Sequence, residues 1–483
     1  MNSCFKRIGA ALCAAALALS LAACGGTQAA SSTNTAAQPV SITVWNYYNG
    51  DQLECFNKLV EEFNATVGKE QNITVTSESQ GSVNDLETNV LAAAEGKVGA
   101  AALPNIFSAY ADTCYAVDQM GLLADLSGYL TEEEKAAYLD SYITEGDFKD
   151  NGSIKIFPVA KSTEILCLNE TDWEPFAAAT GAGYDDLSTV EGLVATAQKY
   201  YEWTDAQTAA PDDGKALFGR DAMANYLLIG AKELGESIFD VQQGRMTVEL
   251  SEPTARKLWD NYYVPFVKGW FAAIGRFRSD DIKTGNILCY VGSSSSATFF
   301  PKQVMTSDTE SHDIRMKALP CPTFADGSSV CVQQGAGMAV TNGSEAEVKA
   351  SVAFLKWMTQ PEQNIRFAVG SGYLPVTHAA NDMEAIEASG LEMTDAVRDI
   401  LTIATDEVEN NELYTPKAFA GGAAARKVLE YDLSDKAAAD RATVEQRIAA
   451  GESAADAQAE FLTDEAFAAW YQGLLGQLKA YEG

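Results

Sequence analysis

The chain has 483 residues, too many for one ordinary core, so two lobes are the natural expectation. Its 47% apolar and 21% charged residues describe a folded globular protein. The formal net charge of -33 argues against nucleic acid as a partner and against electrostatic adhesion to anionic lipid, and two histidines, His312 and His378, leave little for histidine catalysis or zinc ligation.

In chain order, Lys6 and Arg7 precede an apolar run from Ile8 to Ala23, too short to span a bilayer comfortably. Residues 1–23 read as a signal peptide. The run ends Leu21-Ala22-Ala23-Cys24, which resembles a bacterial lipobox; the resemblance implies that Cys24 is lipidated and becomes the mature N-terminus. Residues 24–39, rich in Ser, Thr, Ala, Asn and Gln, read as a flexible tether. The expected location is the outer face of the cell membrane, extracellular or periplasmic. Of the nine cysteines, Cys55, Cys114, Cys167, Cys289, Cys321 and Cys331 remain, and none forms a C-x-x-C. Cys321 and Cys331 are spaced to close a short disulfide loop, but apolar surroundings favour buried free thiols.

Ser41–Trp45 alternates like a strand, Asp51 with Glu54 opens a helix striped by Leu53, Phe56, Leu59, Val60 and Phe63, and Ile73–Thr76 is the next strand. This βαβ unit predicts a parallel sheet, whose ligands bind beyond the carboxyl ends of the strands. Trp45, Tyr47, Tyr48 and Gln80 sit at such ends, as do Tyr110 and Asp112 after the buried strand Leu103–Phe107. In Ile154–Asn169, two apolar strands flank a polar centre running from Lys161 to Glu164. Residues 173–236 read as mostly helical, with Phe218–Asp221 opening a helix that carries Asn225 and Tyr226. The aromatic stretch from Thr254 to Trp270 reads as core. Ile287–Val291 is a strand ending in Gly292-Ser293-Ser294-Ser295-Ser296, whose hydroxyls and N–H groups suit a polar ligand.

Val330–Val340 reads as strand, Gln333-Gln334-Gly335-Ala336-Gly337, strand; Gly335 permits close backbone approach, and the order is not that of a dinucleotide fingerprint. Ser344 and Glu347 form a capping box before Val348, Val352, Leu355 and Met358, all on one face. Pro361 stops that helix or starts the next. Gly370-Ser371-Gly372-Tyr373-Leu374-Pro375 then fixes one ring on a bend, as a ligand contact or as a buried tyrosine in an ordinary loop. Residues 395–483 are helical, acidic and Ala-rich, and Arg426 is the basic residue expected near the cleft. No motif for phosphate transfer, zinc proteolysis or serine hydrolysis occurs, although the many carboxylates leave room for a glycosidase pair.

Phe354-Leu355-Lys356-Trp357-Met358, Pro361-Glu362 and Gly372-Tyr373-Leu374-Pro375-Val376 resemble the late signature of the family 1 extracellular solute-binding proteins, the capture subunits of bacterial ABC importers for sugars and glycerol phosphates. The Gly-Tyr-Leu-Pro-Val form is closest to the glycerol-3-phosphate-binding branch. The resemblance implies an α/β, two-lobe, type II periplasmic-binding-protein-like fold, each lobe a mixed sheet flanked by helices, with a helical C-terminal region. Lobe 1 would comprise residues 40–158 plus 337–371, and lobe 2 residues 159–336 plus 372–483. Trp45, Tyr47, Tyr48, Tyr110 and Tyr373 would stack on sugar faces. Gln80, Asp112, Glu164, Ser294 and Gln334 would bond hydroxyls, with Ser162, Tyr226, Ser293 and Gly335 completing the site. The resemblance implies no catalytic residue, metal or cofactor. Expected partners are a small-molecule ligand, the ABC permease subunits and, through Cys24, the membrane; the protein is expected to be a monomer that binds no nucleic acid. Sugar is preferred over glycerol-3-phosphate or a diester of it, and a lipid-anchored glycoside hydrolase is the third reading. All of this requires a gap between two halves.

Overall fold

The computed structural model describes residues 38–242, 244–305, 307 and 309–483. The signal peptide, Cys24 and nearly all of the tether lie outside the described residues.

The first sheet grows from the βαβ unit. Val40–Asn46 pairs in parallel with Ile73–Ser79 on one side and Ile106–Ala109 on the other, and Gly337–Val340 adds an antiparallel edge to the latter. The crossover helix Gly50–Ala65 buries Phe56, Leu59, Val60 and Phe63. Its cap is Asn49, two residues before the expected Asp51, because Gly50 takes a positive φ of 50° and turns the chain directly into the helix. Phe56 and Phe63 meet Phe354 edge-on, and Phe367 and Trp357 complete the cluster. Each such side chain contributes about 1.5–3 kcal/mol on burial. Those partners come from the helices Glu345–Met358 and Pro361–Ser371. The first is closed by the Ser344–Glu347 capping box, its four stripe residues are buried, and Pro361 starts the second.

The second sheet has the order Met316–Pro320, Glu164–Asn169, Cys289–Ser293, Phe218–Arg220. Its pairings are antiparallel except the last. Phe218–Arg220 was expected to open a helix and is instead an edge strand of three residues; the helix, Met223–Glu233, starts after Ala222 takes a left-handed turn. Of the two strands expected around Lys161–Glu164, the second forms, whereas Phe157 makes only an isolated bridge to Met338. A second core lies beyond this sheet, where the Trp259 and Tyr263 rings stack at 3.6 Å and Trp470 packs on Trp259. The 28-residue helix Gly422–Ala449 closes this core with Ala425, Leu429, Leu433 and Ala437.

Three segments join the sheets. Lys161 bridges to Leu374, and Ser162 exchanges backbone bonds with Gln334. Residues 39–483 therefore form one body. The first core continues through the crossings onto Ile165, Cys167 and Tyr290 of the second sheet. The six cysteines are free thiols. Among the described residues, no helix is long and apolar enough to cross a membrane.

Candidate functional site

A cavity of about 340 Å³ lies where the two sheets face each other. From the first side it is lined by Asn84 and Glu87 on the helix Val83–Ala94, by Tyr110 and Asp112, and by Glu145. Tyr110 and Asp112 occupy the end of the strand Ile106–Ala109, where open α/β sheets place ligands. From the other side come Asn225, Gln334, Tyr414, Arg426 and Glu430.

The floor is a hydrogen-bonded chain. The Asn225 amide donates to Glu164 Oε1 at 2.8 Å and to Gln334 Oε1 at 3.1 Å, while its carbonyl accepts from Arg426. Glu164 also pairs with the buried Arg220. Beside this chain, fully buried Lys161 pairs with Glu145 and donates to the Gly335 carbonyl at 3.0 Å. These bonds hold the amide and carboxylate groups in fixed directions, as recognition of a polar solute requires. Glu430 accepts from the N–H groups of Met223 at 3.3 Å and Ala224 at 2.9 Å, capping the helix that presents Asn225. Among the described residues, Arg426 and Lys427 line the cavity with no carboxylate in direct salt-bridge contact, while Asp112 and Glu87 lie within electrostatic reach.

Burial sets the electrostatics. It pushes the Asp112 carboxyl up to about 6, against the opposing pull of Arg426. Glu87 is raised for the same reason, eased by Thr113. Glu164 is raised by burial, with Arg220 opposing. A Cβ added at Gly422 would stand 2.3 Å from Asp112 Oδ1, so any larger residue there would displace the carboxylate.

Of the expected residues, Tyr110, Asp112, Gln334 and the basic Arg426 line this cavity. Glu164, Ser162 and Gly335 lie immediately behind it; Gly335 holds φ at 88°, with its α-carbon face against the Ala160 carbonyl. Tyr47, Tyr48 and Tyr373 form a buried aromatic cluster. In it the Tyr47 and Tyr373 hydroxyls are 3.0 Å apart and Tyr48 packs on Phe56, Phe367 and Tyr373. Tyr110 lies within electrostatic reach of Tyr47 and Tyr373. Ser293 bonds Ser295 at 3.0 Å, and the buried Ser294 hydroxyl has no partner among the described residues. Trp45 donates to Glu78 at 2.9 Å from within the first core. Gln80 accepts from Asn89 at 2.9 Å, away from the cavity. Tyr226 is core, donating to the Leu258 carbonyl at 2.8 Å. Sequence reasoning missed Glu87, Glu145, Tyr414 and Glu430. The Gly421-Gly422 pair near Arg426 was the available signal; the Glu430 cap joins residues 206 and 207 positions apart and leaves no local trace.

Residues 58–394, more than half of the chain, match the bacterial extracellular solute-binding protein family. A search of curated protein sequences found no match. Among solved structures, the chain is similar to the cyclic alpha-maltosyl-1,6-maltose binding protein of Arthrobacter globiformis, at 18% identity and TM-score 0.65, covering 92% of this chain and 100% of that one. It is similar to UgpB of Mycobacterium tuberculosis in complex with glycerophosphocholine, at 19% identity and TM-score 0.64, covering 92% and 99%. MalE of Bdellovibrio bacteriovorus bound to maltotriose gives 14% identity and TM-score 0.60, covering 90% and 99%. Likenesses at this identity establish the fold, the two-lobe α/β arrangement of maltose-binding type. The chain belongs to the bacterial extracellular solute-binding proteins.

Proposed function

We propose that this protein captures a carbohydrate in the cavity between its sheets and delivers it, unaltered, to the permease of an ABC importer. The observation that carries the reading is the lining itself. Asp112 and Glu87 offer acceptors and Gln334 an amide, held in place by the Asn225 bond, with the Tyr110 and Tyr414 rings beside them. Sugar hydroxyls donate and accept at once, and their apolar ring faces pack on aromatic side chains, so such a lining suits them. Lobes of residues 40–158 plus 337–371 and 159–336 plus 372–483 would close as a hinged clamp, with the lipid on Cys24 holding the protein at the outer membrane face.

A glycerophosphodiester is the second reading, favoured by one observation: among the described residues, Arg426 and Lys427 face the cavity with no carboxylate in direct salt-bridge contact, Asp112 and Glu87 lying only within electrostatic reach. A thermal-shift screen across mono-, di- and oligosaccharides and glycerol phosphates separates the two, because a ligand that binds only the folded state raises the melting temperature. Stabilisation by a saccharide supports the first reading. Stabilisation by glycerol phosphates alone overturns it.

A further inference from the structure

A second cavity, of about 1000 Å³, adjoins the first. Asp221 lines it, while the next residue, Ala222, lines the first cavity. Glu430, in the first cavity, lies within electrostatic reach of the Asp221 carboxylate. The second cavity carries two aromatic rings that the fold leaves in solvent: Phe277 is 53% exposed and Phe299 58%. Arg276 sits over the Phe277 ring at 5.1 Å. Lys283 and Gln303 supply donors at the rim. Tyr290 lines the same space with its ring, is 1% exposed, and has its hydroxyl turned to the Cys167 thiol. Exposed rings beside carboxylate, amide and hydroxyl groups are the chemistry of a sugar platform rather than of a core.

We propose that this second cavity is a further carbohydrate subsite, so that the solute is an elongated oligosaccharide with one end in the first cavity and later rings stacked on Phe277 and Phe299. The inference rests on the carbohydrate reading of the first cavity. Calorimetry of mono- to hexasaccharides of α-1,4- and β-1,4-linked glucose, on the wild type and on the Phe277→Ala/Phe299→Ala variant, tests it. The wild type should bind the longest effective member more tightly than the shortest. The double variant should lose about tenfold for the longest, or about 1.4 kcal/mol, and nothing for the shortest. Both rings are exposed, so its melting temperature should not change.

Affinity independent of length, or unchanged in the double variant, overturns the subsite and leaves the first cavity standing. Unchanged affinity with lost import marks the two rings as permease contacts and likewise overturns it. Failure of every saccharide to bind overturns the carbohydrate reading and the subsite with it.

Discussion

Tyr110 and Tyr373 are two tyrosines at chain bends, and their fates differ. Tyr110 is 36% exposed and lines the first cavity; Tyr373 is 5% exposed, stacks on Phe367 at 6.1 Å and is hydrogen-bonded through its hydroxyl to that of Tyr47. Both bends hold a ring in place. Access is decided by what packs against it: the open space beside Asp112 in one case, the helix Pro361–Ser371 in the other. A bend in the sequence therefore reports a fixed ring, and only tertiary packing decides whether a solute can reach it.

The comparison is broken most forcefully from behind the cavity. Glu164→Leu leaves the buried Arg220 without its partner and should cost about 3–5 kcal/mol in urea unfolding. A loss below about 1 kcal/mol would show that the floor network does not hold the site. Tyr110→Ala should weaken solute binding about tenfold in calorimetry, or about 1.4 kcal/mol, with unfolding stability nearly unchanged. Tyr373→Phe should do the reverse: about 1 kcal/mol of stability lost with the Tyr47 bond, and affinity kept. Affinity lost in Tyr373→Phe with stability intact would return Tyr373 to the ligand contacts.

Asp112 sharpens the comparison through pH. Its folded-state value, near 6, lies above the ordinary 3.8, so the folded protein holds a proton that the unfolded chain has released between those values. Its contribution to stability is present below about 4 and falls as pH rises through 6. Binding that needs the carboxylate as acceptor runs the other way, strengthening as pH rises through 6. Asp112→Asn should flatten both profiles in melting and calorimetric measurements at pH 5 and pH 8. Glu407, pushed up to about 8 by burial, adds a decline in stability toward pH 8, and Glu407→Gln should remove that part alone.

Much of the fold was legible because its signals are local. Alternation in Ser41–Trp45, the stripe on the following helix and the Ser344–Glu347 box each depend on neighbours within a few residues. Phe218–Arg220 was misread because a three-residue edge strand has no room for a period and flows into a helix. In the site, Tyr110 and Asp112 were found by their place at a strand end, and Gln334 by its place in a glycine-bearing crossing. Glu87 and Glu145 were not, since a carboxylate on a helix or loop of so acidic a chain looks like any solvated one until Lys161 and Arg426 are brought beside it. Trp45 had the same strand-end signal as Tyr110, yet its register opposite Glu78 turns its indole to that carboxylate.

The most direct test of the central claim is calorimetric titration of the purified wild type with the saccharide that most raises its melting temperature, followed by mass spectrometry of the recovered sugar. Saturable binding at one site per chain, with the sugar returned intact, is the predicted result. No heat of binding, or a sugar returned cleaved, would contradict it.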